Sequence, residues 1–212
     1  MNFLSLNVCG IRDVNKRMSL MQWLSHRRLD IVCLQETHAV SASESSAWFS
    51  PYGVLTVSAV GSARARGLAI LYCPRLILNR SWVELCGRFS MAEFINGNFL
   101  FRVVCIYAPN SKPERNSFLL SCADLTLLCG DFNAVWDRSK DRRGSSNDST
   151  YHDSSASQNY LFSEACVFDV WRYLHPDTIV NLASHLKAKI YQGSVSFMDM
   201  RMYWLVLLIL TV

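Results

Sequence analysis

No stretch of the 212 residues is apolar over the roughly twenty positions that a membrane-spanning helix needs. The C-terminal run MYWLVLLILTV is about half that length and reads as a buried strand or an unnatural end, so no membrane partner is expected. The opening residues MNFLSLNVCG have neither a basic n-region nor a long apolar h-region, which argues against a signal peptide. None of the eight cysteines forms a Cys-x-x-Cys pair, so ordinary zinc-site spacing is missing. Most sit inside apolar runs such as DIVCLQE, RVVCIY and LTLLCG, as reduced core thiols of an intracellular protein do, whether nuclear or cytoplasmic. Charge is scarce at 18% of residues while half are hydrophobic, which excludes a disordered chain. The formal net charge of +4 permits a polyanionic partner without demanding one. There is no internal repeat and no linker, so residues 1–212 read as a single domain, expected to be a monomer.

What is present is a series of short apolar runs. FLSLNV, DIVCLQ, GLAILY, FLFRVVCIY and LTLLCG have the length and composition of strands, and several are nearly uninterrupted, as in strands covered on both faces. Met18, Met21 and Leu24 recur at helical spacing, predicting a helix over residues 15–28. QNYLFSEACVFDVWRYLHP predicts a later helix, broken near Val167 and stopped by Pro176. Strands interspersed with helices give an α/β class. GSSNDSTYHDSSAS, residues 144–157, reads as a surface loop.

Four of the apolar runs end alike. FLSLN ends at Asn7, DIVCLQE at Glu36, FRVVCIY at Tyr107, and LTLLCGDFN at Asp131 and Asn133. One polar strand end is ordinary turn chemistry. Four such ends meet in one cleft if the strands are neighbours with matched direction, and open α/β sheets place sites at that edge. Glu36 and Asp131 would bring hard anionic oxygens suited to Mg²⁺. Asn7 and Asn133 would hold a phosphate oxygen without repelling it, and Tyr107 would donate one more hydrogen bond. A metal and oriented donors around a phosphodiester describe metal-assisted phosphoryl hydrolysis.

LNVCGIR, CLQETH, IYAPN and GDFNAVWDR occur in an order that resembles the endonuclease/exonuclease/phosphatase superfamily. In particular they resemble the apurinic-endonuclease-like domain of LINE-type (non-LTR) retrotransposon proteins, and FDVWRYLHP resembles a further segment of it. The resemblance is strongest over residues 2–178 and doubtful over 179–212. It implies a four-layer sandwich of two packed β-sheets flanked by helices, incomplete at the C-terminus. It implies Mg²⁺ (or Mn²⁺) as cofactor, DNA as substrate, and a role for each strand end. Glu36 would bind the metal. Asp131 would orient and help deprotonate the attacking water, and Asn133 would position that water or the phosphate. Asn7 would lie in the metal and phosphate shell, and Tyr107 would stabilise charge on the phosphate. Arg138, Lys140, Arg142 and Arg143, in the segment DRSKDRRG, are candidate contacts to the nucleic-acid backbone, with a solvated loop as the alternative.

Three positions depart from the family pattern. Cys9 stands where the family often has an acid, and thiolate is a poor Mg²⁺ ligand. The stretch between Pro113 and the GDFN strand has room for about two helical turns. The closing Ser-Asp-His does not occur; Asp199 in SFMDMRMYW is the nearest counterpart of an earlier acid, and His185 precedes it. The histidines His26, His38, His152 and His175 have ordinary surface or turn readings. Loss of a phosphate-contacting group typically costs about 10²–10³-fold in rate. The expectation is therefore an impaired, truncated DNA endonuclease of retrotransposon descent. The alternatives are a catalytically inactive relic that at most binds nucleic acid, and a phosphatase acting on a phospholipid or inositol phosphate.

Overall fold

The computed structural model describes residues 1–120, 127–133 and 206–208. In chain order the elements are β1 (Phe3–Asn7), α1 (Val14–Ser25), β2 (Ile31–Gln35), α2 (Ala42–Phe49) with a 3-10 turn (Ser50–Tyr52), β3 (Leu55–Ala59) and β4 (Leu68–Tyr72). There follow β5 (Ile77–Val83), β6 (Phe89–Asn96), β7 (Phe99–Tyr107), α3 (Lys112–Leu120), β8 (Leu127–Asp131) and β9 (Val206–Leu208). One sheet runs β1-β2-β4-β3 and the other β5-β6-β7-β8-β9. Each is mixed: β1 and β2 pair in parallel, as do β7 and β8, and the remaining pairs are antiparallel. The α/β class and the two-sheet architecture expected from the sequence are what the protein adopts.

The pleat explains the layering. Alternate residues of each strand face opposite sides. On β2, Ile31 and Cys33 join Leu68 and Ile70 of β4 and face Phe94 of β6, Val103 and Cys105 of β7, and Leu127 and Cys129 of β8. This layer between the sheets is closed to water, and each large side chain in it contributes about 1.5–3 kcal/mol. The other faces of β1 and β2, through Leu4, Leu6, Val32 and Leu34, pack with Leu20, Met21 and Leu24 of α1 and Phe49 of α2. On the outer face of the second sheet, Phe118 of α3 lines a groove with Trp82, Phe89 and Met91.

Helix ends follow local chemistry. Asp13 caps α1 by accepting from the Lys16 backbone N–H at 2.7 Å, and Ser41 caps α2 through Glu44 N–H at 3.0 Å. The first helix stops three residues before the predicted end. Arg27 N–H already bonds Leu24 O in a tighter turn, and the Arg28 carbonyl accepts from the Asn2 side chain. β3, β5, β6 and α2 were not legible as apolar runs. In β5 and β6 polar residues interrupt the pattern, because Glu93 binds Arg80 at 2.9 Å and Arg102 at 2.8 Å across the sheet. Hydrogen bonds from Arg102 and Asn79 hold the Glu93 carboxyl below its usual range. The predicted helix near Val167, the 144–157 loop, His152, His175 and His185 lie outside the described residues.

Candidate active site at the strand ends

Both parallel pairs finish at the same edge of the sandwich. Asn7 is the register partner of Gln35 on β1 and β2, and Tyr107 is the partner of Asp131 on β7 and β8. Each strand's inward row therefore climbs from apolar to polar: Phe3, Ser5, Asn7; Ile31, Cys33, Gln35; Val103, Cys105, Tyr107; Leu127, Cys129, Asp131. Beneath the edge, Gln35 Nε2 donates to Ser5 Oγ, the Cys33 carbonyl and Cys105 Sγ at 3.1–3.2 Å. The six described cysteines are all free thiols. Mutual hydrogen bonding with Cys105 and Cys129, then burial, pushes the Cys33 thiol up.

At the top of this column Asn7, with no exposed surface, joins the sheets. Its Nδ2 donates to Glu36 Oε1 and to Asp131 Oδ2, both at 2.9 Å. Its Oδ1 accepts from the Cys9 backbone N–H at 3.0 Å. Since a backbone N–H can only donate, that bond determines the amide orientation and turns both amide hydrogens toward the carboxylates. Asp131 is 1% exposed, and its second oxygen accepts from Asn133 N–H at 2.9 Å. Asn133 Nδ2 donates to the Ala108 carbonyl at 2.6 Å, tying the turn after β7 to the turn after β8. Arg115, itself buried, donates to the Asn110 carbonyl in the same turn.

Tyr107 is half-buried beside this group. Burial, the charge of Glu36 and hydrogen bonding to it, and the charge of Asp131 push its phenol far up. Arg88 lies 5.2 Å from the Tyr107 ring centroid and donates to its carbonyl at 3.0 Å. Lys16 Nζ donates to Cys9 O at 3.1 Å.

The backbone at this edge is strained. Of the five non-glycine residues with left-handed φ among the described residues, Cys9, Glu36, His38 and Asn133 are here, and the fifth, Arg66, accepts from His38 N–H. Such conformations cost roughly 1–3 kcal/mol each and persist only where surrounding bonds enforce them. The enforcing bonds are Gly10 N–H to Glu36 O, Ile11 N–H to Thr37 O and Thr37 N–H to Gly67 O.

The structure thus brings Asn7, Glu36, Tyr107, Asp131 and Asn133 together. Asp199, Arg138, Lys140, Arg142 and Arg143 lie outside the described residues. Cys9 is beside Asn7, its Sγ 3.5 Å from Oδ1. His38, not among the sequence candidates, lies against this cluster: its Nε2 is 3.7 Å from Glu36 Oε2. The available signal was its position two residues after Glu36 at a strand end. Among the described residues, no group of three or more His, Cys, Asp and Glu side chains is arranged to hold a metal ion. The hard oxygens of Glu36 and Asp131 still fit Mg²⁺, which is commonly bound through one or two carboxylates and keeps several waters.

The Endonuclease/Exonuclease/phosphatase family model matches residues 4–186. The chain belongs to that family. An exodeoxyribonuclease of Bacillus subtilis (strain 168) is 27% identical over 199 residues, covering 84% of this chain and 77% of that protein. Among solved structures of the same fold, an AP endonuclease from Archaeoglobus fulgidus superposes with a TM-score of 0.69 at 19% identity, covering 98% of this chain and 86% of that one. The Xenopus laevis APE2 catalytic domain gives 0.67 at 16% identity, with 98% and 82% covered. A Neisseria 3' phosphatase bound to product DNA hairpin gives 0.63 at 18% identity, with 98% and 86% covered. Among the described residues, no helix of this Endonuclease/Exonuclease/phosphatase family member is long and apolar enough to cross a membrane.

Proposed function

We propose that the protein is a Mg²⁺-dependent phosphodiester hydrolase, endonuclease-like, acting on DNA. The observation that carries the reading is the buried Asn7 amide, which holds Glu36 and Asp131 side by side at the meeting point of two sheets. Two carboxylates gathered behind a neutral donor serve no packing purpose and repel each other. They suit a site that receives a cation and an attacking water. Relatives described as an exodeoxyribonuclease, AP endonucleases and a DNA-bound 3' phosphatase favour a DNA phosphoester as substrate.

In this reading Glu36 holds the metal, with Mn²⁺ as a substitute. The bound ion supplies Lewis-acid neutralisation of charge on a phosphoryl oxygen. Asp131, anchored by Asn7 and Asn133, orients and helps deprotonate the attacking water. Tyr107 is a phenol with an ordinary value of about 10 and so is protonated at neutral pH; in this reading its hydroxyl, which hydrogen-bonds Glu36, donates to a phosphate oxygen when substrate is present. Asn133, whose Nδ2 is anchored on Ala108 O, positions the attacking water or the phosphate. Asp199 as a further acid, and Arg138, Lys140, Arg142 and Arg143 as phosphate-backbone contacts, belong to the same reading on sequence alone. So does descent from a LINE-type retrotransposon, which rests on the CLQETH, IYAPN and GDFN motifs.

A second reading, a non-catalytic relic that at most binds nucleic acid, is favoured by Cys9 in place of an acid. The deciding experiment is nicking of supercoiled plasmid with Mg²⁺, beside Glu36→Ala and a chelator control. Nicking lost in both controls supports the hydrolase; no nicking by folded protein supports the relic.

A further inference from the structure

We propose that His38 is a second protein ligand of the metal site built on Glu36, and that it shifts the site's preference from Mg²⁺ toward later transition-metal ions such as Co²⁺. This rests on the reading of Glu36 as a metal ligand.

The placement of the ring is specific. Its backbone is held in the left-handed region at φ 61° by His38 N–H to Arg66 O at 3.0 Å, and its carbonyl accepts from Arg12 Nη1 at 3.2 Å. A Cβ at Gly10 would lie 2.5 Å from His38 Nδ1, so the imidazole occupies space that only glycine leaves open. Nδ1 thus packs on the Gly10 turn. Nε2 is buried and makes no hydrogen bond among the described residues, 3.7 Å from Glu36 Oε2. A buried nitrogen that makes no hydrogen bond is costly. An ion shared with Glu36 relieves that cost. Metal–nitrogen and metal–oxygen bonds are each roughly 2.0–2.2 Å, so donors 3.7 Å apart both reach one ion. Glu36 Oε1 is taken by Asn7, which leaves Oε2 as the oxygen nearer His38.

The consequence is selectivity. Carboxylates suit Mg²⁺, whereas imidazole favours the later divalent ions. The site therefore has one hard donor and one borderline donor where a pure Mg²⁺ site has carboxylates.

The test is metal binding by the full-length protein. Pulsed EPR of the Mn²⁺-loaded wild type reads ¹⁴N coupling from a bound imidazole without any mutation. Calorimetry then compares Co²⁺ and Mg²⁺ affinity in wild type, His38→Gln, His38→Asn and Glu36→Gln, each checked for folding by circular dichroism. Expected are ¹⁴N coupling that the His38 variants lose, a Co²⁺ affinity weakened roughly 10–100-fold, and an almost unchanged Mg²⁺ affinity. Ion binding that needs Glu36 but shows no ¹⁴N coupling, or a Co²⁺-to-Mg²⁺ ratio untouched by His38→Gln, overturns the role of His38 alone. No ion binding, or binding indifferent to Glu36→Gln, overturns the metal site itself and this inference with it.

Discussion

Asn7 and Asp131 are 124 residues apart in sequence and share a 2.9 Å hydrogen bond that closes the polar end of the sandwich. The same Asn7 nitrogen reaches Glu36, so one buried amide separates and steadies two carboxylates. Four consequences can be measured.

Asn7→Asp removes both donated bonds and adds a third carboxylate to a buried pair. A loss of about 2–4 kcal/mol is expected at pH 8 by urea denaturation. The loss should shrink at pH 5, because crowded carboxylates have raised pKa values and take up protons in the folded state. A loss identical at both pH values would assign the cost to packing instead.

Gly130 lies where β8 runs closest to β7. A Cβ there would sit 2.0 Å from Ile106 O, at φ 148°. Since the obstacle is backbone, Gly130→Ala should cost at least about 4 kcal/mol. Gly53→Ala is the control, with φ 69° and nothing within 4 Å of its Cβ, and should cost about 1–2 kcal/mol. Comparable melting temperatures for the two variants would refute the close-approach account.

Tyr107 gives a pH signature. Its folded-state phenol is raised above the unfolded value of about 10. The neutral form is therefore favoured by folding, and its contribution is complete below pH 10 and lost as pH rises further. Wild type should lose stability between pH 10 and 11 relative to Tyr107→Phe. At pH 8 the variant should nick plasmid roughly 10–10³-fold more slowly if the phenol donates to the phosphate. Unchanged nicking would remove Tyr107 from the chemistry.

Ser41 caps α2, and Glu44 in its first turn pairs with Arg12, which also donates to the His38 carbonyl. Ser41→Ala should cost about 1 kcal/mol by removing the α2 cap and leave nicking unchanged. The Val40 backbone N–H, then Arg12, holds Glu44 below the usual carboxylate range. That stabilisation is present above about pH 4.3 and disappears as pH falls through the lowered value. Glu44→Gln should thus be less stable than wild type at pH 7 and equal to it at pH 2, by thermal melting.

The strands of the two parallel pairs were legible because burial on both faces forces nearly unbroken apolar runs, as in IVCLQ and LLCGD. β5 and β6 were not, since their outward positions carry Asn79, Arg80 and Glu93, whose pairing is visible only across strands. The Asn-Gly pair at residues 96–97 was a usable hairpin signal. For His38 the sequence offered only its position two residues after Glu36, since a lone histidine after a strand carries no mark of which way its ring faces.

By itself the sequence determined the α/β class, the positions of Asn7, Glu36, Tyr107, Asp131 and Asn133 at strand ends, and the family pattern they form. These are properties of local order: hydrophobic period, strand length and the polar residue that ends each run. Tertiary structure alone decided that the four ends meet, because that requires β1 of one sheet to face β8 of the other. It also decided that the Asn7 amide bridges Glu36 and Asp131, and that the space above Gly10 is filled by His38. Those contacts join residues far apart in the chain, and their directions depend on the packing of two sheets that no local pattern encodes.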